Sequence, residues 1–232
     1  ASTIFSWKHA GVSGYHEGIM NEILDTIGKL GIVPVVTIPD EGAAVDLADA
    51  LLSGGLPIIE ITFRSDAAET AMRRITRHTS DLLVGAGTVR SPAQVDTAIE
   101  AGAKFVVTPG FNHTVVDYCV RRGITVIPGV NSPTGVEMAL ERGIDVLKFF
   151  PAEVSGGVDM LKALAGPYAE VAFIPTGGVN GENVADYLAL PNVHACGGSW
   201  LTPKAQLAQR DFSGIPELIR QAMEALKTIR SG

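Results

Sequence analysis

A chain of 232 residues that is 46% hydrophobic and 19% charged has enough apolar material for a large core, in one domain or two small ones. Its formal net charge of −7 comes without any run of Lys and Arg, which argues against nucleic-acid binding; Arg73, Arg74 and Arg77 share a helical stretch, but Glu69 and Asp81 flank them, as on a solvated face. No run of about 18 apolar residues occurs, so no membrane span is expected, and Cys119 and Cys196 lack metal or redox spacing and fit small buried thiols in a reducing, cytoplasmic compartment.

Residues 1–19 mix Trp7, Lys8, His9, Tyr15 and His16. They lack the basic start and apolar core of a secretory signal and read as a leader of uncertain origin. Residues 20–232 read as one domain. From residue 32 a beat begins. Strands are expected at 32–38, 57–63, 82–88, 105–108, 124–127, 146–150, 171–174 and 193–197. Helices are expected at 42–52, 67–79, 91–101, around 114–121, and at 133–142, 158–165, 183–190 and 215–229. Ser91 is a plausible cap with Pro92 at the first helical position. The strands are continuous apolar runs, as in sheets covered by helices. The eight beats without a linker predict a single closed (β/α)8 TIM barrel. The runner-up, an open doubly wound sheet, lacks its Gly-x-Gly-x-x-Gly fingerprint after the first strand.

Polar residues inside this apolar frame carry the functional reading. Lys148 interrupts Val146-Leu147-Lys148-Phe149-Phe150-Pro151. Burial disfavours an ammonium relative to the amine, and a neutral amine is a nucleophile toward ketones and aldehydes. The competing reading is a lysine that snorkels to solvent at a strand end. Glu60 interrupts Ile58-Ile59-Glu60-Ile61-Thr62. Strand parity puts Glu60 and Arg64 on one side if the strand persists, as a buried ion pair, a proton-transfer carboxyl, or both. Thr88 ends the third strand, either as a donor to a substrate oxygen or as a simple turn residue. Pro109, which has no donor, can serve only as a wall.

Two glycine clusters follow the last two strands: Pro175-Thr176-Gly177-Gly178 and Gly197-Gly198-Ser199. Such loops let backbone N–H groups wrap a phosphate, a common arrangement at that end of a barrel. They could hold an anion in a protein of negative net charge. His9, His16, His78, His113 and His194 are scattered without ligand spacing, so neither a metal nor a cofactor is expected.

Taken in order, Ile59-Glu60-Ile61-Thr62-Phe63-Arg64, Gly85-Ala86-Gly87-Thr88-Val89, Lys148-Phe149-Phe150-Pro151-Ala152-Glu153, Pro175-Thr176-Gly177-Gly178 and Gly198-Ser199-Trp200 resemble the KDPG aldolase family, the 2-dehydro-3-deoxy-phosphogluconate and 4-hydroxy-2-oxoglutarate aldolases. The similarity runs from Ile23 to the C-terminus. It implies a class I aldolase, usually a homotrimer, acting on a small phosphorylated keto acid. By motif position it implies Lys148 as Schiff-base lysine and Glu60 as general acid/base. Arg64 and Thr88 would hold the pyruvate carboxylate, and Phe150 and Pro109 would wall the pocket. Thr176, Gly177, Gly178, Gly198 and Ser199 would receive the phosphate. Many members carry a basic residue where this chain has Thr37-Ile38-Pro39, and Ser is common where it has Thr108. The rival readings are a galactonate-epimer aldolase, a phosphate-binding isomerase or decarboxylase, and a non-catalytic sugar-phosphate sensor.

Overall fold

In the computed structural model the alternating runs fold as parallel strands covered by helices; the structure describes residues 14–231, with side chains from 22 to 229. Trp7, Lys8 and His9 of the expected leader lie outside the described residues, as do the side chains of Tyr15 and His16. The helix α1 (Gly14–Leu30) already includes the last residues of that leader. It is followed by β1 (Ile32–Val36), α2 (Ala44–Gly54), β2 (Ile58–Thr62), α3 (Ala68–His78), β3 (Leu83–Gly87), α4 (Pro92–Glu100) and β4 (Phe105–Val107). Then come α5 (His113–Arg122), β5 (Thr125–Ile127), β6 (Gly129–Val130), α6 (Pro133–Leu140) and β7 (Val146–Phe149). The chain ends with α7 (Gly157–Ala165), β8 (Ala172–Pro175), α8 (Val184–Leu188), β9 (Cys196–Gly198), α9 (Lys204–Gln209) and α10 (Ile215–Ser231).

Local chemistry accounts for the helix starts. Ser91 has extended backbone and its hydroxyl accepts from Gln94 N–H, with Pro92 next, as the sequence suggested. Asn112 caps α5 in the same way, accepting from Thr114 and Val115 N–H.

The single closed eight-stranded barrel does not form. Instead there is a six-stranded parallel sheet, ordered β5-β4-β3-β2-β1-β9, and a separate three-stranded parallel sheet, β6-β7-β8. The beat was read correctly as α/β, but counting beats says nothing about whether the ladder is continuous. It breaks at two places. The expected fifth strand forms as β5, and Pro128, with no N–H to donate, separates it from a further short strand, β6. On the other side β9 spends its ladder on β1, pairing Ile32 with Cys196 and Pro34 with Gly198. Towards β8 only isolated bridges remain, Phe173 to Val193 and Thr176 to Gly197. The order from β5 to β1 is sequential, without the reversal of a doubly wound sheet.

Two apolar clusters match the two sheets. The larger joins β1 to β5 with their helices, through residues such as Leu47, Leu51, Ile59, Met72 and Phe105. The smaller surrounds β7 and β8 through Leu147, Phe149, Phe173 and Tyr187. The rings of Phe149 and Phe173 meet edge to face at 6.3 Å. His194 lies ahead of β9 and its Nε2 bonds to Leu24 O of α1 at 2.8 Å, a structural role.

Cys119 and Cys196 are buried and unbridged. Burial pushes the Cys119 thiol up to about 12, so the reactive thiolate is scarce at neutral pH. Ellman's reagent at pH near 8 should therefore leave Cys119 unmodified in the folded protein and titrate it in denaturant. Rapid labelling of Cys119 before unfolding would contradict the packing described.

Candidate active site

Lys148 lies on β7, flanked in register by Gly129 of β6 and Ile174 of β8. Its neighbours Leu147 and Phe149 are fully buried on the opposite face of the strand. The lysine does not snorkel: it is 5% exposed, and its Nζ donates to Glu60 Oε1 at 3.4 Å. It also lies 5.2 Å from the centroid of the Phe150 ring, within cation–π reach.

Glu60 comes from the other sheet. It sits mid-strand on β2, opposite Val35 of β1 and Gly85 of β3, and is 4% exposed. The contact with Lys148 is at the long end for a hydrogen bond, which leaves the amine free to move toward a substrate. Below the pair is a cavity of about 10 Å³ lined by both side chains, Thr176 and apolar residues. That is room for one water at most.

Above Lys148 opens a cleft of about 200 Å³ at the carboxyl ends of the strands. Arg64, Thr88, Pro109, Lys148, Phe150 and Thr176 line it, together with Gly177, Gly178, Gly198 and Ser199. These are the expected site residues except Glu60, which reaches the cleft only through its bond to Lys148. The expected pairing of Glu60 with Arg64 does not occur. The strand ends at Thr62, so parity no longer applies at Arg64, which is exposed at the cleft while Glu60 bonds Lys148.

The sheet order spreads the cleft's polar groups. Thr88 follows β3 and Arg64 follows β2; β1 comes next; then β9 brings Gly198 and Ser199, with Thr176 to Gly178 after β8. Adjacent strands are about 4.8 Å apart, so β2 and β9 are separated by roughly 10 Å. Arg64, Lys148 and Lys204 line the cleft, and no Asp or Glu lines it among the described residues. In a protein of net charge −7 this is a local basic field.

Several details support this geometry. Thr88 has φ +56°, a left-handed conformation that a β-branched residue adopts at a cost. Gly177 and Gly178 have φ of +96° and +88°, so the turn after β8 needs them. Glu153 and Ala152 tie that turn down: Ala152 N–H bonds Thr176 O at 2.8 Å and Glu153 N–H bonds Gly177 O at 3.1 Å. The Glu153 carboxylate accepts a short hydrogen bond from buried Tyr187. The Thr108 hydroxyl donates to Gly110 O at 2.8 Å and accepts from Gly129 N–H at 3.2 Å. Thr108 thus bridges the break beside Pro128, a structural role.

The sequence reading missed other cleft residues, among them Thr37, Thr62, Thr202 and Lys204. The Thr37 and Thr62 hydroxyls bond each other at 2.8 Å. The spacing of β1 and β2 could have suggested that pair, since Thr37 directly follows β1 and Thr62 ends β2. It also missed Gly87, where a Cβ would come within 2.1 Å of Glu60 Oε1. Gly87→Ala should push the Glu60 carboxylate off its place and lower kcat by about 10²-fold, since small displacements of a reacting group cost that much. The measurement is kcat alongside a thermal melt; unchanged kcat in a folded variant would remove Glu60 position as a constraint.

The family model described as KDPG and KHG aldolase matches residues 23–218. The chain belongs to that family. Among its relatives, the 2-dehydro-3-deoxy-phosphogluconate aldolase of Haemophilus influenzae is 45% identical over 206 residues, 89% of this chain and 97% of that protein. The KHG/KDPG aldolase of Escherichia coli K12 is 40% identical over 84% of this chain and 92% of its own length. A crystal structure of KDPG aldolase from Legionella pneumophila, with pyruvate captured as a covalent carbinolamine, superposes with a TM-score of 0.83 at 37% identity, covering 86% of this chain and 97% of that one.

Proposed function

We propose that this aldolase-family chain cleaves 2-dehydro-3-deoxy-6-phosphogluconate to pyruvate and glyceraldehyde 3-phosphate, with 4-hydroxy-2-oxoglutarate, which gives pyruvate and glyoxylate, as a further substrate. The observation that carries this reading is the buried Lys148 amine within 3.4 Å of the Glu60 carboxylate, at the floor of a cleft lined by cations. The chemistry follows. The amine of Lys148 adds to the C2 ketone and forms a carbinolamine; loss of water gives a protonated imine. Glu60, acting through one water, takes the C4 hydroxyl proton. The C3–C4 electron pair moves toward the imine nitrogen, leaving an enamine on Lys148 and freeing the aldehyde. Glu60 returns its proton to C3, and water hydrolyses the imine to release pyruvate and the free amine. Arg64 and Thr88 bind the C1 carboxylate, and Pro109 and Phe150 wall the chain. Thr176, Gly177, Gly178, Gly198 and Ser199 receive the phosphate. The roughly 10 Å between the ends of β2 and β9 suits a six-carbon substrate with an anion at each end.

The direct test is pyruvate release, coupled to lactate dehydrogenase, from the gluconate-derived substrate, its galactonate epimer and hydroxyoxoglutarate. The expected order of kcat/KM puts the gluconate-derived substrate first. Binding without turnover would sink the catalytic reading; a preference for the galactonate epimer would reassign the substrate.

The same reading includes a homotrimer in the cytoplasm. Unbridged cysteines fit a reducing compartment. Val154 lies in a short turn and is 84% exposed, an apolar side chain that assembly would cover. A light-scattering mass near three times 24.3 kDa is expected.

A further inference from the structure

Two side chains of the cleft have no part in the chemistry above. Lys204 is exposed, lines the cleft with Gly177, Gly178 and Ser199, and has neither an ion pair nor a side-chain hydrogen bond among the described residues. Other exposed cations nearby are engaged: Arg210, six residues on, is held by Asp40. Thr202 is 1% exposed and also lines the cleft, yet its hydroxyl oxygen has no hydrogen-bond partner among the described residues. A buried hydroxyl without a partner costs free energy and calls for one. Both residues come from the segment directly after β9, so they stand on the glycine side of the cleft, with β1 between them and Arg64.

Backbone N–H groups at the glycine loops can wrap a phosphate dianion, and a cation beside them strengthens its binding in a protein of net charge −7. Arg64 stands at the opposite end, and Lys148 is paired with Glu60. Lys204 is the remaining cation in the cleft. We propose that Lys204 is the counter-cation of the substrate phosphate, with the Thr202 hydroxyl as a further donor, and that the two together set the preference for phosphorylated over unphosphorylated keto acids. This inference rests on the aldolase reading above. Hydroxyoxoglutarate ends in a C5 carboxylate, a monoanion on a shorter chain than the C6 phosphate dianion, so it gains less from either group. The pair therefore acts on discrimination, the ratio of kcat/KM values, while the bond-breaking steps at Lys148 are untouched.

The experiment compares kcat/KM for the phosphorylated substrate and for hydroxyoxoglutarate in the full chain and in Lys204→Gln, Lys204→Glu and Thr202→Val. Lys204→Gln should lower the ratio on the order of tenfold, almost wholly through KM for the phosphorylated substrate, as loss of a charge-assisted contact does. Lys204→Glu should lower it further, and added salt should narrow the difference between Lys204→Gln and the parent. Thr202→Val keeps the shape, removes the unpartnered hydroxyl, and should lower the ratio by roughly threefold without loss of stability. Inorganic phosphate, tested as a competitive inhibitor of cleavage of the phosphorylated substrate, should weaken in the same variants. An equal loss on both substrates, or an unchanged ratio and phosphate inhibition constant, would overturn the proposal. Because Lys204 is exposed, its variants report on binding and not on folding. If the parent chain fails to turn over the phosphorylated substrate at all, it is the aldolase reading that falls, an outcome distinct from an active enzyme whose ratio ignores Lys204.

Discussion

Lys148→Ala is expected to abolish turnover, lowering kcat by at least ~10⁴-fold, because Lys148 is the buried amine held beside Glu60, whereas Lys204, the other amine of the cleft, is exposed on its glycine side. In the parent chain, borohydride added with pyruvate should leave a stable adduct on the peptide carrying Lys148, with the mass of pyruvate less water plus two hydrogens. The variant should take up none. Loss of activity through misfolding is a separate matter, since removing Lys148 strands Glu60 in a dry interior at a cost of about 3–5 kcal/mol. Lys148→Met with Glu60→Gln removes both charges and keeps the volume. That double variant should recover most of the stability and none of the activity. An adduct on any other lysine, with full activity retained in Lys148→Ala, would end the assignment.

Glu60→Gln is expected to separate the two halves of the reaction. The amide keeps the shape of the carboxylate but cannot shuttle a proton between C4 and C3. Carbon–carbon cleavage should fall by about 10²–10⁴-fold, the usual contribution of a positioned acid–base group. Imine formation with pyruvate, read by borohydride trapping, should persist at a reduced rate. Exchange of the pyruvate methyl protons with deuterated water, followed by NMR, isolates the enamine protonation and should fall in parallel with cleavage. A variant that cleaves and exchanges at the parent rate would remove Glu60 from the proton path.

Much of this site was legible in the sequence because its residues violate their surroundings. A lysine and a glutamate inside apolar strands had to be either paired or functional, and they prove to be paired with each other across the interior. Arg64 lines the cleft, but its expected pairing with Glu60 fails because the parity argument needed β2 to continue, and β2 stops at Thr62. Thr202 and Lys204 could not be singled out, because a Thr-Pro-Lys segment after a strand looks like any surface turn until the fold brings it to the glycine loops. The closed barrel failed for a similar reason. Apolar runs report burial, whereas ladder continuity depends on single N–H groups, such as the one missing at Pro128 and those β9 gives to β1. Residues 14–30 hid their helix behind an irregular composition, and what α1 contributes, including the Leu24 carbonyl that receives His194, emerges only in three dimensions.

The Lys148–Glu60 contact joins one sheet to the other at a place where few backbone hydrogen bonds do. A ligand spanning Arg64 and the glycine turns would stitch the same join from above. Occupancy of the cleft is then coupled to the cohesion of the whole molecule: pyruvate locked on by reduction should slow amide hydrogen exchange along β6, β8 and β9, far more than along β3 and β4.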